Sequence, residues 1–235
     1  MNYSLGFTYS PANNVNLTLD AYQIDIDNRI VQSGILTGSD VSAVLTRYGL
    51  TSVTGVQFYT NAVDTRTRGL DLVADYLAEY GAAGKVRWSA GLNLNHTEIR
   101  AIDEGAGGSG TGTIFSHSAQ EYLKSGQPSN KLILGADWSI SAFDVNLRAT
   151  RYGGVTQPGT TSAADREFGA KWITDLDVAY HLSKNLTLAA GANNLFNVYP
   201  DKNGAIGDTG LGGYGYVSPF GFSGGYYYTR ATYTF

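Results

Sequence analysis

The stretch KVRWSAGLNLN, residues 85–95, alternates between apolar and polar side chains along its whole length. Its apolar positions are Val86, Trp88, Ala90, Leu92 and Leu94, and the positions between them hold lysine, arginine, serine, glycine and asparagine. Because successive side chains of a strand point to opposite faces, a period of two predicts a β-strand with one apolar and one polar face. How often this pattern returns decides the fold.

The same alternation returns along the chain, for example over residues 131–140 and 171–182. In the second strand the apolar phase changes at Tyr22–Gln23, which indicates either a β-bulge there or a strand that rises clear of a membrane. We predict about nine strands, near residues 2–10, 15–27, 58–78, 85–98, 129–140, 143–152, 170–182, 185–198 and 224–235.

The connections between these strands alternate in length. Every second one is short, at residues 11–14, 81–84, 141–142 and 183–184. The others run to roughly 15–30 residues, which is long for a compact soluble domain. Short periplasmic turns and long extracellular loops are typical of transmembrane barrels. We therefore predict an all-β, antiparallel, up-and-down transmembrane β-barrel.

Aromatic side chains in the apolar phase cluster near the strand ends. Those close to the short turns are Tyr9, Tyr76, Trp88, Trp138, Phe143 and Tyr180, and those close to the long loops are Trp172, Phe196 and Tyr227. Such rings favour the two membrane–water interfaces, so they predict two aromatic girdles. The alternative is that they only reflect the strand propensity of aromatic residues.

The composition excludes several classes of protein. Of 235 residues, 15% are charged and 12% aromatic, with 30 Gly, no Cys and a net charge of −4. The absence of cysteine excludes disulfides and thiolate metal sites. The charge balance, without a basic run, argues against nucleic-acid binding. No apolar run is long enough for a transmembrane helix, and the N-terminus lacks the pattern of a signal peptide.

The sequence offers no convincing catalytic, metal or cofactor site. The cluster Asp25, Asp27 and Asn28 lacks the glycine and distal glutamate of an EF-hand loop. The glycine-rich tract at 105–113 has no Walker lysine and opens no helix, so we interpret it as a flexible loop. The three histidines lie on separate segments: His96, His117 and His181. A contact between His117 and haem or an iron complex stays open. We predict that the chain is not an enzyme.

Charged side chains recur in the polar phase of the strands. They are Asp71, Asp75, Arg87, Asp137, Arg148, Asp175, Asp177 and Arg230. An arginine facing the hydrocarbon midplane costs about 2–4 kcal/mol, so we expect these charges to face the barrel lumen. A hydrated wall is the favoured interpretation, with docking of a plug domain as the alternative and direct substrate contact as a third.

The last strand ends on an aromatic residue. Tyr233 and Phe235 share its apolar phase, and Phe235 is the final residue. This ending resembles the C-terminal signal by which the barrel assembly machinery recognises outer-membrane proteins, so both residues are candidates for an assembly signal.

Several stretches resemble TonB-dependent outer-membrane receptors. They are LTLDAYQIDIDNRI at 17–30, FYTNAVDTRTRGLDLVADY at 58–76, GANNLFNVYP at 191–200 and SPFGFSGGYYYTRATYTF at 218–235. A loop segment, SDVSAVLTRYGL, resembles a short helix with Ser39 as its N-cap and Gly49 as its end. The resemblance implies a 22-stranded barrel, an N-terminal plug and a TonB box. We expect residues 1–235 to be the C-terminal part of such a barrel, with the plug domain and TonB box absent.

The resemblance implies a function in the bacterial outer membrane: TonB-dependent active uptake of a scarce nutrient such as an iron–siderophore complex, without a cofactor. The partners it implies are outer-membrane lipid, the missing upstream strands and plug of the same receptor, TonB acting through the plug, the barrel assembly machinery and an extracellular small-molecule ligand. A passive outer-membrane pore or structural barrel is the alternative, and a soluble secreted β-protein such as a lectin is a third hypothesis.

Overall fold

A computed structural model describes residues 1–107, 113–204 and 213–235. Its main element is one antiparallel sheet of nine strands, and two short strands pair separately. The strands are β1 (Asn2–Ala12), β2 (Val15–Gln32), β3 (Tyr59–Glu79), β4 (Lys85–Ile102), β5 (Asn130–Ile140), β6 (Phe143–Tyr152), β7 (Val155–Gln157), β8 (Arg166–Phe168), β9 (Lys171–His181), β10 (Leu186–Asn193) and β11 (Tyr226–Tyr233). The two α-helices are α1 (Ser39–Arg47) and α2 (His117–Ser125).

The order of the strands in the sheet follows the order of the chain, which confirms the predicted up-and-down arrangement. The sheet runs β1-β2-β3-β4-β5-β6-β9-β10-β11, and the β7–β8 hairpin occupies the loop between β6 and β9. All nine predicted strands are present, with ends that differ by a few residues. The hairpin and α2 were not predicted.

The phase change in β2 does not mark a bulge at Tyr22–Gln23. Gln23 pairs with Tyr3 on one side and Arg68 on the other, in an uninterrupted register. In the pairing of β2 with β3, the register shifts between Ile26 and Arg29 and again between Arg29 and Ile30. Of the two interpretations, the bulge at Tyr22–Gln23 was therefore wrong: the strand continues, and only the polarity of its two faces changes. A strand that rises clear of a membrane at this point stays a prediction.

The short connections are tight turns, as predicted. In the turn between β3 and β4, Gly84 has a φ of +84°, and a Cβ there would lie 2.1 Å from the carbonyl oxygen of Ser139. Only glycine fits both the backbone conformation and this close approach to β5. The turn between β3 and β4 therefore packs directly against the end of β5.

Helix α1 confirms one predicted boundary and corrects the other. Gly49 has a φ of +76° and its amide donates to the carbonyl of Thr46 (2.9 Å), which ends the helix. The predicted N-cap, Ser39, was wrong. Gly38 is the N-cap residue, without a side-chain cap, and the Ser39 hydroxyl donates to Asp40.

Buried apolar residues are concentrated in the loop region rather than between the strands. One cluster joins the ends of β2 and β3 to the loops: Val31, Leu36, Ala62, Val63, Ile114 and Phe115. A second consists of Val155, Phe168 and Val217. Many large apolar side chains in the middle of the strands are instead exposed, for example Leu134 (41%) and Leu147 (42%). In the described ranges, no helix is long and apolar enough to cross a membrane.

Candidate functional site

The sheet has one apolar and one polar face. Strand pairing aligns Leu72 with Leu92 and Leu92 with Leu132, while their neighbours Asp71, Asn93 and Lys131 align in the same way. Since side chains alternate along each strand, the aligned leucines lie on one face and the aligned polar residues on the other. We call these the apolar face and the polar face.

The register places all eight predicted charges on the polar face. Two rows of directly paired positions cross the sheet and contain most of them. The first row is Asp75, Ser89, Gly135, Arg148 and Asp175, and the second is Arg87, Asp137, Asn146 and Asp177. Opposite charges are adjacent in both, since Arg148 pairs with Asp175 and Arg87 with Asp137. Directly opposed side chains lie close enough to interact.

Hydrogen bonds and ion pairs connect some of the charged residues of the polar face and not others. Asp177 accepts a hydrogen bond from the Tyr228 hydroxyl (2.7 Å), and Arg230 lies 3.6 Å from the same carboxylate. Asp71 accepts from the amide of Asn93 (2.6 Å). Asp71 is not joined to Asp177. The polar face is therefore a series of local pairs rather than one catalytic constellation, and docking of a plug against it stays a prediction.

At the loop end of the polar face, two aromatic side chains, two lysines and one aspartate form a group that we call the mouth cluster: Lys131, Tyr152, Lys171, Asp201 and Phe220. The Nζ of Lys131 lies 5.1 Å from the centre of the Tyr152 ring, a cation–π distance. The Phe220 ring lies 5.7 Å from the same ring. Lys171 donates to Asp201 at 2.5 Å, and this hydrogen bond holds the pKa of the Asp201 carboxyl below its usual value.

Sequence patterns did not identify the mouth cluster. Lys131, Tyr152 and Lys171 pair in register across β5, β6 and β9, so the polar phase at the strand ends contained a signal for them. Asp201 lies on a loop far along the chain from Lys171, and its role depends on how that loop folds. Local alternation carries no information about such a contact.

A second contact joins two of the loops. His117, the first residue of α2, lies with its Nε2 2.9 Å and 3.0 Å from the two carboxylate oxygens of Asp165. The backbone amide of Gly159 also donates to Asp165 (2.8 Å). These hydrogen bonds, that from Gly159 first, lower the pKa of Asp165. His117, the histidine considered for an iron complex, thus holds a neighbouring loop in this structure.

The remaining candidates have partners within the fold. His181 contacts Asp144 (2.7 Å) and Thr187 (3.0 Å). Asp25, from the acidic cluster, is paired with Arg66, whose Nε lies 2.6 Å from its carboxylate. Over residues 1–107, 113–204 and 213–235, no three His, Cys, Asp or Glu side chains are grouped so that they could hold a metal ion. Most of the glycine-rich tract lies outside the described residues.

The candidate assembly signal lies at the edge of the sheet. Tyr233 pairs with Leu186 on the apolar face, and Phe235 follows β11 with its side chain fully exposed. The two rings pack edge to face with their centres 5.2 Å apart. Their recognition by the assembly machinery stays a prediction.

Comparisons with known proteins identify the architecture. Residues 1–195 match the family model of the TonB-dependent receptor-like β-barrel. No curated protein matches the sequence.

The fold is also found in solved structures. A variant of the ferric enterobactin receptor PfeA from Pseudomonas aeruginosa is 21% identical, with a TM-score of 0.62, over 100% of this chain and 31% of that chain. The FrpB iron transporter from Neisseria meningitidis is 12% identical, with a TM-score of 0.62, over 100% and 31% of the two chains. The ferric-catecholate import receptor Fiu from E. coli is 15% identical, with a TM-score of 0.59, over 99% and 27%.

The chain therefore spans about a third of the length of the solved structures it matches. The order of its strands, its two-faced sheet and the family match over most of its residues agree with one another. The chain belongs to the TonB-dependent receptor family, whose members are outer-membrane proteins of Gram-negative bacteria.

Proposed function

We propose that the chain forms part of the barrel wall and extracellular loops of a receptor that takes up a scarce nutrient through TonB-dependent transport. The observation that carries this proposal is the two-faced sheet. Its apolar face suits lipid, and its polar face presents paired charges that suit a hydrated lumen filled by a plug. Transport of this kind needs binding and conformational change, and no covalent chemistry.

The edges of the sheet support a larger barrel. Across the described residues, β1 pairs only with β2 and β11 only with β10. An unpaired backbone group in hydrocarbon costs several kcal/mol, so a membrane-embedded sheet needs further strands at both edges. We propose that other strands of the same receptor close the barrel, that a plug docks against the polar face and that TonB acts through the plug.

The mouth cluster supports an anionic, aromatic ligand such as a ferric siderophore complex. Lys131 and Lys171 bring two cations to the rim of the polar face, beside the rings of Tyr152 and Phe220. Cations attract the negative charge of an iron chelate, and aromatic rings stack on its planar groups. The three solved relatives are described as ferric enterobactin receptor, iron transporter and ferric-catecholate receptor, which agrees with this ligand class.

In the present structure the mouth cluster is closed. The pocket among Tyr152, Lys171, Asp201 and Phe220 has about 10 Å³ of free space, enough for a single water. A chelate would therefore displace the Asp201 loop or bind above it. The ion pair between Lys171 and Asp201 would then open, and the Lys171 ammonium would face the ligand instead.

The test is uptake by cells that lack the gene and carry the receptor containing this chain on a plasmid. We expect accumulation of radiolabelled iron from a ferric catecholate complex, lost in a strain without TonB. The double variant Lys131→Gln with Lys171→Gln should weaken binding about tenfold or more, since each charged hydrogen bond is worth roughly 1.5–3 kcal/mol.

The double variant Lys85→Gln with Lys184→Gln is the matched control, since it removes two lysine charges from the other end of the sheet. It should bind normally. Equal uptake with and without TonB would contradict the proposal and favour a passive pore. If the double variant bound the ferric complex as tightly as the wild type, the mouth cluster would be excluded as the ligand site. The proposal of TonB-dependent uptake would still stand.

A further inference from the structure

The apolar face changes character abruptly at the loop ends of β2, β3 and β4. The last apolar positions on it are Ala21, Leu70 and Leu94. The next positions on the same face are Gln23, Arg68 and His96, and Arg68 pairs in register with both of the others. A similar change occurs on β5 and β6, where Asn130 follows Leu132 and Arg151 follows Ala149, although the register pairs Asn130 with Leu94 and Arg151 with Leu132. We call Gln23, Arg68, His96, Asn130 and Arg151 the border row.

The length of the apolar stretch fixes the depth of the border row. On β4 this stretch runs from Val86 to Leu94, which at about 3.3 Å per residue covers roughly 25–30 Å along the strand. Strands tilted by about 35–45° then cover most of the apolar band of about 25 Å that outer-membrane barrels present to lipid. His96 and the other residues of the border row come one position further on the same face, which would place them at the depth of the lipid headgroups on the extracellular side.

The cations of the border row are held by neutral partners. The Nε of Arg68 donates to the side-chain oxygen of Gln23 (2.9 Å), and a terminal nitrogen of Arg151 donates to that of Asn130 (2.8 Å). His96 is exposed beside Arg68. The two amides orient the guanidinium groups without neutralising them, and each guanidinium keeps further donors.

Acidic residues occur on this face only one position further from the membrane. Asp25 and Glu98 lie there on either side of Arg66, and Asp25 is bound to Arg66 through both carboxylate oxygens (2.6 Å and 3.2 Å). Asp25 also accepts a hydrogen bond from the side-chain amide of Gln23 (3.0 Å), so the acidic row contacts the border row through a neutral group. Within residues 1–107, 113–204 and 213–235, Arg68 and Arg151 form no ion pair with a carboxylate, and both directly follow the apolar stretch of this face.

We propose that the border row binds the phosphate groups of lipids in the outer leaflet. A guanidinium fork matches a phosphate in geometry and charge, and arginines next to a membrane surface attract anionic headgroups. Trp172, which pairs with Arg151 on the same face and is 44% exposed, has the character of an interfacial anchor. Continuity with the apolar face assigns the phosphate to a lipid rather than to a free anion, because the acyl chains would lie along Leu70, Leu94 and Ala149.

The test uses the protein purified from outer membranes and exchanged into nanodiscs of neutral lipid. A bis-phosphorylated lipid A and the same lipid without its phosphates are added, and the lipid retained per protein is counted by native mass spectrometry. We expect clear retention of the phosphorylated lipid over the phosphate-free one. Equal retention of the two lipids by the wild-type protein would overturn the proposal without any variant.

The double variant Arg68→Gln with Arg151→Gln should retain the phosphorylated lipid roughly ten- to thirtyfold more weakly, since two cations next to the headgroups are lost. The matched control is Arg47→Gln with Lys184→Gln, which removes the same charge from α1 and from a turn at the other end of the sheet. It should retain lipid as the wild type does. Equal weakening in both double variants would overturn the assignment to the border row, and displacement of the lipid by millimolar inorganic phosphate would overturn the lipid as its ligand.

Discussion

Two parts of the same three strands, β2, β3 and β4, have opposite polarity. In the part near the short turns, Leu72 and Leu92 lie on the apolar face, while Asp71 and Asn93 lie on the other. In the part near the loops, the face that carried leucines carries arginine and histidine, and the other face is partly buried, with Ile24 and Ile26 on β2 still 37% exposed. Val63 is 0% and Thr65 1% exposed there, beneath the loop segment of Ile114 and Phe115.

The backbone pairing does not change between the two parts until the bulge after Ile26. The difference therefore comes from the surroundings of each face and not from the strands. Where lipid lies outside and water inside, the outer face is apolar and the inner face is polar. Where water lies outside and loops pack inside, the outer face is polar and the inner face is apolar. We propose that the position of this exchange marks the depth at which the membrane ends.

The largest expected effect follows from placing a charge on the apolar face. Leu134→Arg should destabilise the barrel in the membrane by about 2–4 kcal/mol, because the guanidinium would face hydrocarbon. Ile133→Arg, one residue earlier on the polar face, should cost far less. Urea titration in lipid vesicles measures both, and equal costs at the two positions would break the distinction between the faces.

An intermediate effect is expected in the loop part, where the face opposite the leucines is a dry core. Val63→Ala should destabilise this part by roughly 1–2 kcal/mol through lost burial and an unfilled cavity. Val73→Ala is the control, since Val73 lies on the same face further down β3 and is 46% exposed. Limited proteolysis of the loops should detect the first variant and not the second. The reverse order would contradict a packed loop core.

The smallest effect is expected at the contact between His117 and Asp165. Hydrogen bonds in the folded structure lower the pKa of Asp165. The ionised carboxylate therefore stabilises the folded loop above the ordinary pKa of aspartate, and this stabilisation is lost as pH falls through the lower folded pKa. Cleavage of the β7–β8 loop by an acid-stable protease should therefore accelerate below about pH 4, where aspartates protonate. Asp165→Asn should be cleaved faster at neutral pH and lose most of that acceleration. Identical pH profiles for the variant and the wild type would contradict this role.

The predicted strands match the structure because alternation is a local property that each strand expresses by itself. The polar-face position of Asp175 or Arg87 followed from the same alternation. The bulge at Tyr22–Gln23 was misplaced because a reversal of polarity and a shift of register leave the same trace in one strand. Only the pairing with Arg68 distinguishes the two.

Other features depend on contacts between distant segments. The β7–β8 hairpin has strands of three residues, too short for a period to appear. Asp201 reaches Lys171, and Asp165 reaches His117, only because loops fold against each other. The N-cap of α1 was assigned to Ser39 from residue preference, while the backbone places Gly38 there with a φ of 110°.

The central claim is that one face of the sheet meets lipid and the other meets the aqueous lumen. The chain has no cysteine, so single cysteines for spin labelling can be introduced at any position. Each of three strands receives one label on its apolar face and, in a separate variant, one on its polar face. The pairs are Leu92 with Asn93, Leu134 with Lys131, and Val178 with Asp177. In lipid vesicles, accessibility to oxygen and to a water-soluble nickel chelate is measured for each label. We expect high oxygen and low nickel accessibility at the three apolar positions and the reverse at the three polar ones. Equal nickel accessibility on both faces would contradict the assignment of one face to lipid and the other to the lumen.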